Sequence, residues 1–335
     1  MKLLLYSSTF KFTAGQRDDL RAIWPGMEID EQPVAPGALE KIAGAGVEVL
    51  VSDPAPRNIE AWPNLRLVQL LSAGANQLVN HPILPTAIPV ATASGLHGVP
   101  IAQYVTCTWL MMAHRVPTLF GYKSDRTWPD RNALPGLPVR GMTAGILGYG
   151  SIGRECARQL HALGMRVVCL KRDPTRRADP DFNAWPGTGD PEGKIPEAWF
   201  APAQLPEMLP RCELVVVTVP STPQTQGMFG PAEFALLSKG ARMIVVSRGG
   251  IVDERALAAA LRAGHLAGAA VDCFVSEPVP KEHEFFDVPN LIMTPHVSGI
   301  YDAFWPGMVR LLGENLRRLR SGQPLLNQVD RQHGY

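Results

Sequence analysis

The sequence predicts an α/β protein of two domains, one a Rossmann dinucleotide-binding fold and the other a discontinuous parallel α/β sheet. Three observations carry this. Short apolar runs alternate with helical patterns along all 335 residues, as in parallel sheets covered by helices. The run Thr143–Gly153, TAGILGYGSIG, leads an apolar strand straight into a glycine-rich turn and a helix. An amphipathic, Arg- and Leu-rich pattern over Ser298–Ser321 can return to cover the first domain.

A chain of this length can bury two cores. Its 46% apolar and 19% charged residues are those of a soluble globular protein. A formal net charge of +1 gives no electrostatic case for nucleic acid or a membrane surface as partner. The N-terminal MKLLLYSSTF is too short in apolar residues for a signal peptide, and no run approaches the roughly 20 residues of a membrane span. The five cysteines are scattered without C-x-x-C spacing. They read as reduced core residues, so neither disulfides nor a metal site is expected, and the expected compartment is cytoplasmic.

In the first hundred residues the strand candidates are Lys2–Tyr6, Met27–Ile29, Val47–Val51, Leu65–Leu71 and Pro89–Thr92, with helices over Thr13–Trp24 and Ala38–Ala45. No glycine fingerprint follows the first strand. The turn Leu71-Ser72-Ala73-Gly74-Ala75 ends a strand, where open α/β sheets place ligands. Its small residues can present backbone N–H groups to a carboxylate, or it is simply a tight turn. Val99–Phe120 reads as one long buried helix, and Gly121–Arg140, with Trp128, as a loop leading to the glycine-rich strand.

In that turn Gly148 allows the reversal, Gly150 lets backbone approach a pyrophosphate, and Gly153 lets helix and strand pack closely. With Tyr149, Ser151 and Ile152 these residues form the expected phosphate site at a helix N-terminus. Six strands complete the count: Ala144–Leu147, Arg166–Leu170, Leu214–Val219, Met243–Ser247, Gly268–Asp272 and Leu291–Thr294. Helices are expected at Ile152–Leu163, Pro231–Leu237 and Glu254–Ala263. Between the second and third lies Pro174–Arg211, with eight prolines, a short helix near Ala203–Leu209 and no assigned role.

Arg248, Glu277 and His296 follow the last three strands, whose carboxyl ends face one crevice in a doubly wound sheet. An arginine there can hold a carboxylate in bidentate fashion and polarise a carbonyl. A histidine can exchange a proton with a carbonyl oxygen, and a carboxylate can fix its tautomer and favour its charged form. Taken singly, each reads more readily as a solvated loop charge or a turn residue than as a catalytic group; three at successive strand ends are harder to explain so. Of the other histidines, His114, His161 and His265 fall in helical patterns, His81 and His283 in polar turns, and His333 in the tail. His97 is the remaining candidate.

GYGSIGRE, SRGGIVDERAL, AVDCFVSEP and TPHVSG, in that order, resemble the D-isomer-specific 2-hydroxyacid dehydrogenases, which include glyoxylate/hydroxypyruvate reductases and phosphoglycerate dehydrogenases. The resemblance runs over nearly the whole chain. It implies a Rossmann NAD(P)-binding domain over residues 99–295 and a flavodoxin-like, discontinuous substrate-binding domain over 1–98 and 296–335. It implies Arg248, Glu277 and His296 as the catalytic set, with Ala73 and Gly74 binding the substrate carboxylate beside Arg248. Asp272 would bind the nicotinamide carboxamide and Pro220 would pack near the cofactor. It further implies a homodimer joined through the cofactor domains, with the loop around Trp128 reaching the partner.

Two departures from the family pattern stand out. Val245 occupies a place where the family often has Asn. At the end of the second strand Lys171 and Arg172 stand where an NAD enzyme usually carries an acid about 20 residues past the glycines. A cation pair suits a 2′-phosphate, which favours NADP over NAD; alternatively both are solvated charges and Asp173 reaches the ribose. The sequence thus reads as a reductase of small 2-keto acids, with an NAD(H)-sensing, corepressor-like binding protein as the alternative. The absence of a disordered tail weighs against the alternative, and the absence of a C-terminal extension weighs against phosphoglycerate as substrate. The substrate side chain would meet residues around Tyr6–Thr9, Leu71–Asn76, Trp305 and the partner's Trp128.

Overall fold

The computed structural model describes residues 1–331 except Thr9, Pro36, Ala38 and Pro180. His333, and the expected roles of Thr9 and Ala38, lie outside the described residues. The chain divides into two compact units. Met1–Leu96, Asp181–Pro186 and the chain from Asp302 onward form the first; His97–Pro180 and Gly187–Tyr301 form the second.

The first unit contains β1 (Lys2–Tyr6), α1 (Ala14–Ile23), β2 (Glu28–Gln32), β3 (Val49–Ser52), β4 (Leu67–Leu70) and β5 (Val90–Ala91). The sheet is parallel in the order β2-β1-β3-β4-β5, the flavodoxin-like arrangement. Side-chain alternation along β1 feeds two cores. Leu3 and Leu5 pack with Leu20 of α1 and Leu312 and Leu316 of the C-terminal helix Phe304–Ser321. Leu4 and Tyr6 pack with Trp62 and Val68 on the other face. Thr13 starts α1 with a reciprocal cap, its Oγ1 accepting from the Gln16 amide while Gln16 Oε1 accepts from the Thr13 amide.

Two expectations fail here. The segment expected as a helix to Ala45 holds only short 3-10 turns, Leu39–Lys41 and Gly44–Gly46. Gly44 lies against the buried Trp62, where a Cβ would stand 2.3 Å from the indole, and a glycine weakens any helix there by about 0.5–1 kcal/mol. The C-terminal helix begins at Phe304 rather than Ser298; the amides of Val297 and Ser298, ahead of it, are bound by Asp272.

The second unit contains α2 (Gly98–Ala113), α3 (Val116–Ser124), β6 (Thr143–Leu147), α4 (Ser151–Ala162), β7 (Arg166–Leu170), β8 (Ala198–Phe200) and α5 (Leu205–Met208). It continues with β9 (Leu214–Val217), α6 (Pro231–Leu236), β10 (Arg242–Val245), α7 (Glu254–Arg262), β11 (Gly268–Val271) and β12 (Leu291–Met293). Its parallel sheet runs β8-β7-β6-β9-β10-β11-β12, which is the third-second-first-fourth-fifth-sixth order of dinucleotide folds with one strand added. The sequence reading missed β8, a three-residue strand inside the proline-rich segment, and so counted β12 as the sixth.

The long helix expected over Val99–Phe120 is two helices. Pro117 has no N–H to give Ala113, so the helix stops; Arg115 turns left-handed at φ 54°, and the Ala113 carbonyl accepts from Leu137 at 2.9 Å instead. Only α2 is buried, packing on α4 with Trp109 and Val105. In α3 Leu119 and Phe120 are exposed.

The proline-rich segment is tied down by residues next to the glycine turn. Arg154 is buried and pairs with Asp179 at 3.0 Å while donating to the Asp190 and Arg177 carbonyls. Glu155 accepts from the Gly189 amide at 2.6 Å, and the Tyr149 hydroxyl donates to Asp190 at 2.7 Å. Asp181–Pro186 belongs to the first unit, unlike the unbroken 99–295 stretch expected. There the Ala184 amide donates to the Gly95 carbonyl at 3.1 Å, Trp185 Nε1 to Leu96 at 2.9 Å, and Arg310 to Ala184 at 2.9 Å.

Candidate active site

The glycine turn joins β6 to α4. Gly148 has φ +98°, and a Cβ on it would lie 2.8 Å from the Val219 nitrogen. Its amide donates to Leu170 and its carbonyl accepts from Thr218 Oγ1 at 2.7 Å, which fixes the turn between β7 and β9. A Cβ on Gly153 would lie 2.1 Å from the Gly148 carbonyl oxygen, whereas one on Gly150 meets nothing within 4 Å. Gly150 is thus bare toward open space, beside Ser151 and Ile152 in the first turn of α4. That fits a dinucleotide pyrophosphate, which needs an unobstructed backbone and a helix N-terminus. The Tyr149 side chain is buried, bonded to Asp190 and edge-on against Trp199.

At the end of β7, Lys171 and Arg172 differ. Lys171 donates through Nζ to the Arg176 carbonyl at 2.5 Å, and burial lowers its pKa. Arg172 is exposed at the bend that follows. Asp173 accepts from the Thr175 amide and hydroxyl at 3.0 and 2.6 Å, so its carboxylate closes its own turn. Pro220 lies beyond β9, its carbonyl accepting from Thr225 at 2.6 Å.

Beyond β10, β11 and β12 stand Arg248, Glu277 and His296, all in the second unit. Glu277 Oε2 meets His296 Nδ1 at 2.9 Å, and Glu277 Oε1 accepts from the Phe274 amide at 2.8 Å. The pair is open to solvent, with side chains 37% and 42% exposed. Because Nδ1 faces a carboxylate, it carries the hydrogen, leaving Nε2 on the side of the ring away from Glu277. Arg248 is half-buried and donates from Nη1 to its neighbour's carbonyl at Ser247, 2.7 Å away. Its loop crosses the one bearing Glu277 so closely that a Cβ on Gly249 would lie 2.1 Å from the Phe274 carbonyl carbon.

Asp272 is bound on three sides. It is 1% exposed, and its carboxylate accepts from Thr294 Oγ1 at 2.5 Å and from the Val297 and Ser298 amides at 2.9 Å each. These bonds tie the carboxylate to the backbone just after His296. Sequence reasoning missed Thr294 and Tyr104, whose hydroxyls meet at 2.7 Å. As Thr294 donates to Asp272, Tyr104 donates to Thr294, and burial pushes the phenol up to about 12. Tyr104 sat inside an apolar helix pattern with nothing to mark it. His97 contacts the same region, its Nδ1 3.1 Å from the Gly299 carbonyl.

Val245, where the family often has Asn, is buried in the sheet core and pairs with Val217 and Val271. Ala73 and Gly74 lie in the first unit beyond β4. Ser72 Oγ donates to the Gly74 carbonyl at 2.8 Å and accepts from Gln77 at 3.0 Å, holding the turn.

A doubly wound sheet with this glycine turn and a His–carboxylate pair at its strand ends is the framework of a dinucleotide-dependent oxidoreductase. A family model described as "D-isomer specific 2-hydroxyacid dehydrogenase, NAD binding domain" matches residues 107–298, and the chain belongs to the D-isomer-specific 2-hydroxyacid dehydrogenase family. The chain is 32% identical to a (S)-sulfolactate dehydrogenase of Chromohalobacter salexigens over 262 residues, 77% of this chain and 80% of that one. A rat D-3-phosphoglycerate dehydrogenase is 38% identical over 200 residues, 59% of this chain; the match spans about a third (34%) of that relative's length. Among solved structures, a family member from Xanthobacter autotrophicus Py2 in complex with NADPH and MES is 28% identical, with TM-score 0.80 and 99% of both chains covered. An NADPH-dependent glyoxylate/hydroxypyruvate reductase from Sinorhizobium meliloti, in complex with NADP and sulfate, is 25% identical, with TM-score 0.79 and 100% of both chains covered.

Proposed function

We propose that the protein reduces a small 2-keto acid to its D-2-hydroxy acid, and runs the reverse oxidation, with His296 as general acid/base. The Glu277–His296 contact of 2.9 Å beyond the last strands of the dinucleotide sheet carries this reading. A nicotinamide dinucleotide bound at Gly148–Gly153 supplies the hydride. His296 gives its Nε2 proton to the keto oxygen, and Glu277 holds the ring's tautomer and orientation. Arg248 is assigned the substrate carboxylate and the polarisation of the carbonyl. In the first unit the Ala73 and Gly74 amides are assigned the same anion chemistry, and Asp272 is assigned the support of the His296 loop.

NADP(H) is the proposed cofactor. Arg172 is exposed at the place of the usual acid and Asp173 is engaged with Thr175, which leaves cationic chemistry for a 2′-phosphate. The NADPH- and NADP-bound relatives support this. A homodimer through the second unit is proposed on the exposure of Trp128, at 97%, and of Phe120 and Leu119. Among the described residues no helix is long and apolar enough to cross a membrane.

Glyoxylate, hydroxypyruvate, pyruvate and phenylpyruvate, followed at the nicotinamide absorbance, test the reading and choose the substrate. Turnover of at least one is expected, with kcat/KM higher for NADPH than for NADH. His296→Ala should lose about 10² to 10⁴-fold in kcat while cofactor binding persists; near-normal turnover would remove His296 from the mechanism. A preference for NADH that survives Lys171→Ala/Arg172→Ala would overturn the cofactor assignment.

A further inference from the structure

The loop that presents Glu277 is held from outside by a residue that no step above uses. Glu254 opens α7, yet Asp253 already caps that helix by accepting from the Ala256 amide. Glu254 is therefore free to reach across. Its Oε1 accepts from the Val275 amide at 2.8 Å, and its Oε2 meets His283 Nε2 at 3.2 Å. Both side chains are largely buried, 18% and 20% exposed. His283 Nδ1 accepts from the Phe285 amide at 3.3 Å, so Nε2 carries the hydrogen and donates to Glu254. The His283 ring also packs edge-on against Phe285, which packs on Phe274.

Val275 lies between Phe274, whose amide binds Glu277 Oε1, and Glu277 itself. Glu254 also lines, with Arg248, Gly249, Cys273 and Phe285, a crevice of about 10 Å³, room for about one water. One carboxylate thus borders both the Arg248 loop and the Glu277 loop. We propose that Glu254, steadied by His283, is a positioning residue: it fixes Val275 so that Glu277 stays against His296. This rests on the Glu277–His296 reading above.

Turnover of the whole protein with a 2-keto acid and its cofactor tests it, beside amide hydrogen exchange of the protein without ligand. Glu254→Ala should lose kcat with little change in KM, and exchange should rise at Val275. Glu254→Asp, a gentler change whose shorter carboxylate cannot span to Val275, should do likewise. Glu254→Gln, which keeps an acceptor oxygen for Val275, should restore both. Wild-type kcat in both Glu254→Ala and Glu254→Asp would overturn the proposal, as would an equal loss in Glu254→Gln, which would make the effect one of charge. If Glu277→Gln itself keeps wild-type kcat, the Glu277–His296 reading falls instead.

Discussion

Asp272 governs where His296 stands. His296 has φ 55°, a left-handed conformation that costs a side-chain-bearing residue about 1–2 kcal/mol. The two amides just after it are held by Asp272, which offsets that cost. Asp272→Asn leaves one oxygen to do the work of two, so the loop should drift and kcat fall about 10²-fold with cofactor Kd little changed; single-turnover kinetics with titrated cofactor checks this. His81 offers a pH test in the first unit. It is buried, accepts from the Ile83 amide through Nδ1, and burial with nearby Arg57 holds it below the ordinary 6.5. Its unfolded form therefore binds a proton more readily, and the stability it contributes, complete above pH 6.5, is lost as pH falls toward its folded pKa. His81→Gln should flatten the slope of unfolding free energy between about pH 7 and 5, measured by urea titration. The places of Arg248, Glu277 and His296 beyond their strands were legible because the apolar strand patterns end just before them. Burial of His81, expected in a polar turn, was not, because it depends on what folds over the turn.

Elements show where periodicity suffices and where it does not. The buried strands of the second sheet, such as β9 and β10, read plainly because both faces are apolar. β2 carries polar residues, being an edge strand paired only with β1. β8 has three residues and no pattern to read. The break between α2 and α3 was written in Pro117, but the apolar run around it hid the signal. Two predictions belong at this scale. Gly249→Ala forces a Cβ into the Phe274 backbone, so it should cost about 1–3 kcal/mol and lower kcat, read by thermal unfolding and turnover together. Arg154→Met leaves Asp179 and the Arg177 and Asp190 carbonyls without their partner. It should destabilise by about 3 kcal/mol, and hydrogen exchange should rise over residues 177–195 beside the Lys171 loop.

At the scale of the molecule, each unit has its own sheet with apolar cores on both faces. The first is built from three stretches of chain, one of them only Asp181–Pro186. A near-neutral net charge of +1 leaves association to apolar surface, and sedimentation equilibrium should give twice the chain mass. Phe120→Asp/Trp128→Asp should shift it toward monomer; a wild-type monomer would overturn the proposed dimer.

By itself the sequence determined the two parallel sheets, the glycine turn and the three ionisable strand ends, since these follow from local pattern: apolar runs, glycine spacing and residues just past each strand. Tertiary structure alone decided the rest. It set Asp272 against the Val297 and Ser298 amides, buried Tyr104 against Thr294 and gave Glu254 to Val275. Each of those is a bond between residues distant in sequence or facing away from their own element's pattern. Such bonds are chosen by which buried polar groups remain to be satisfied once the sheets have packed.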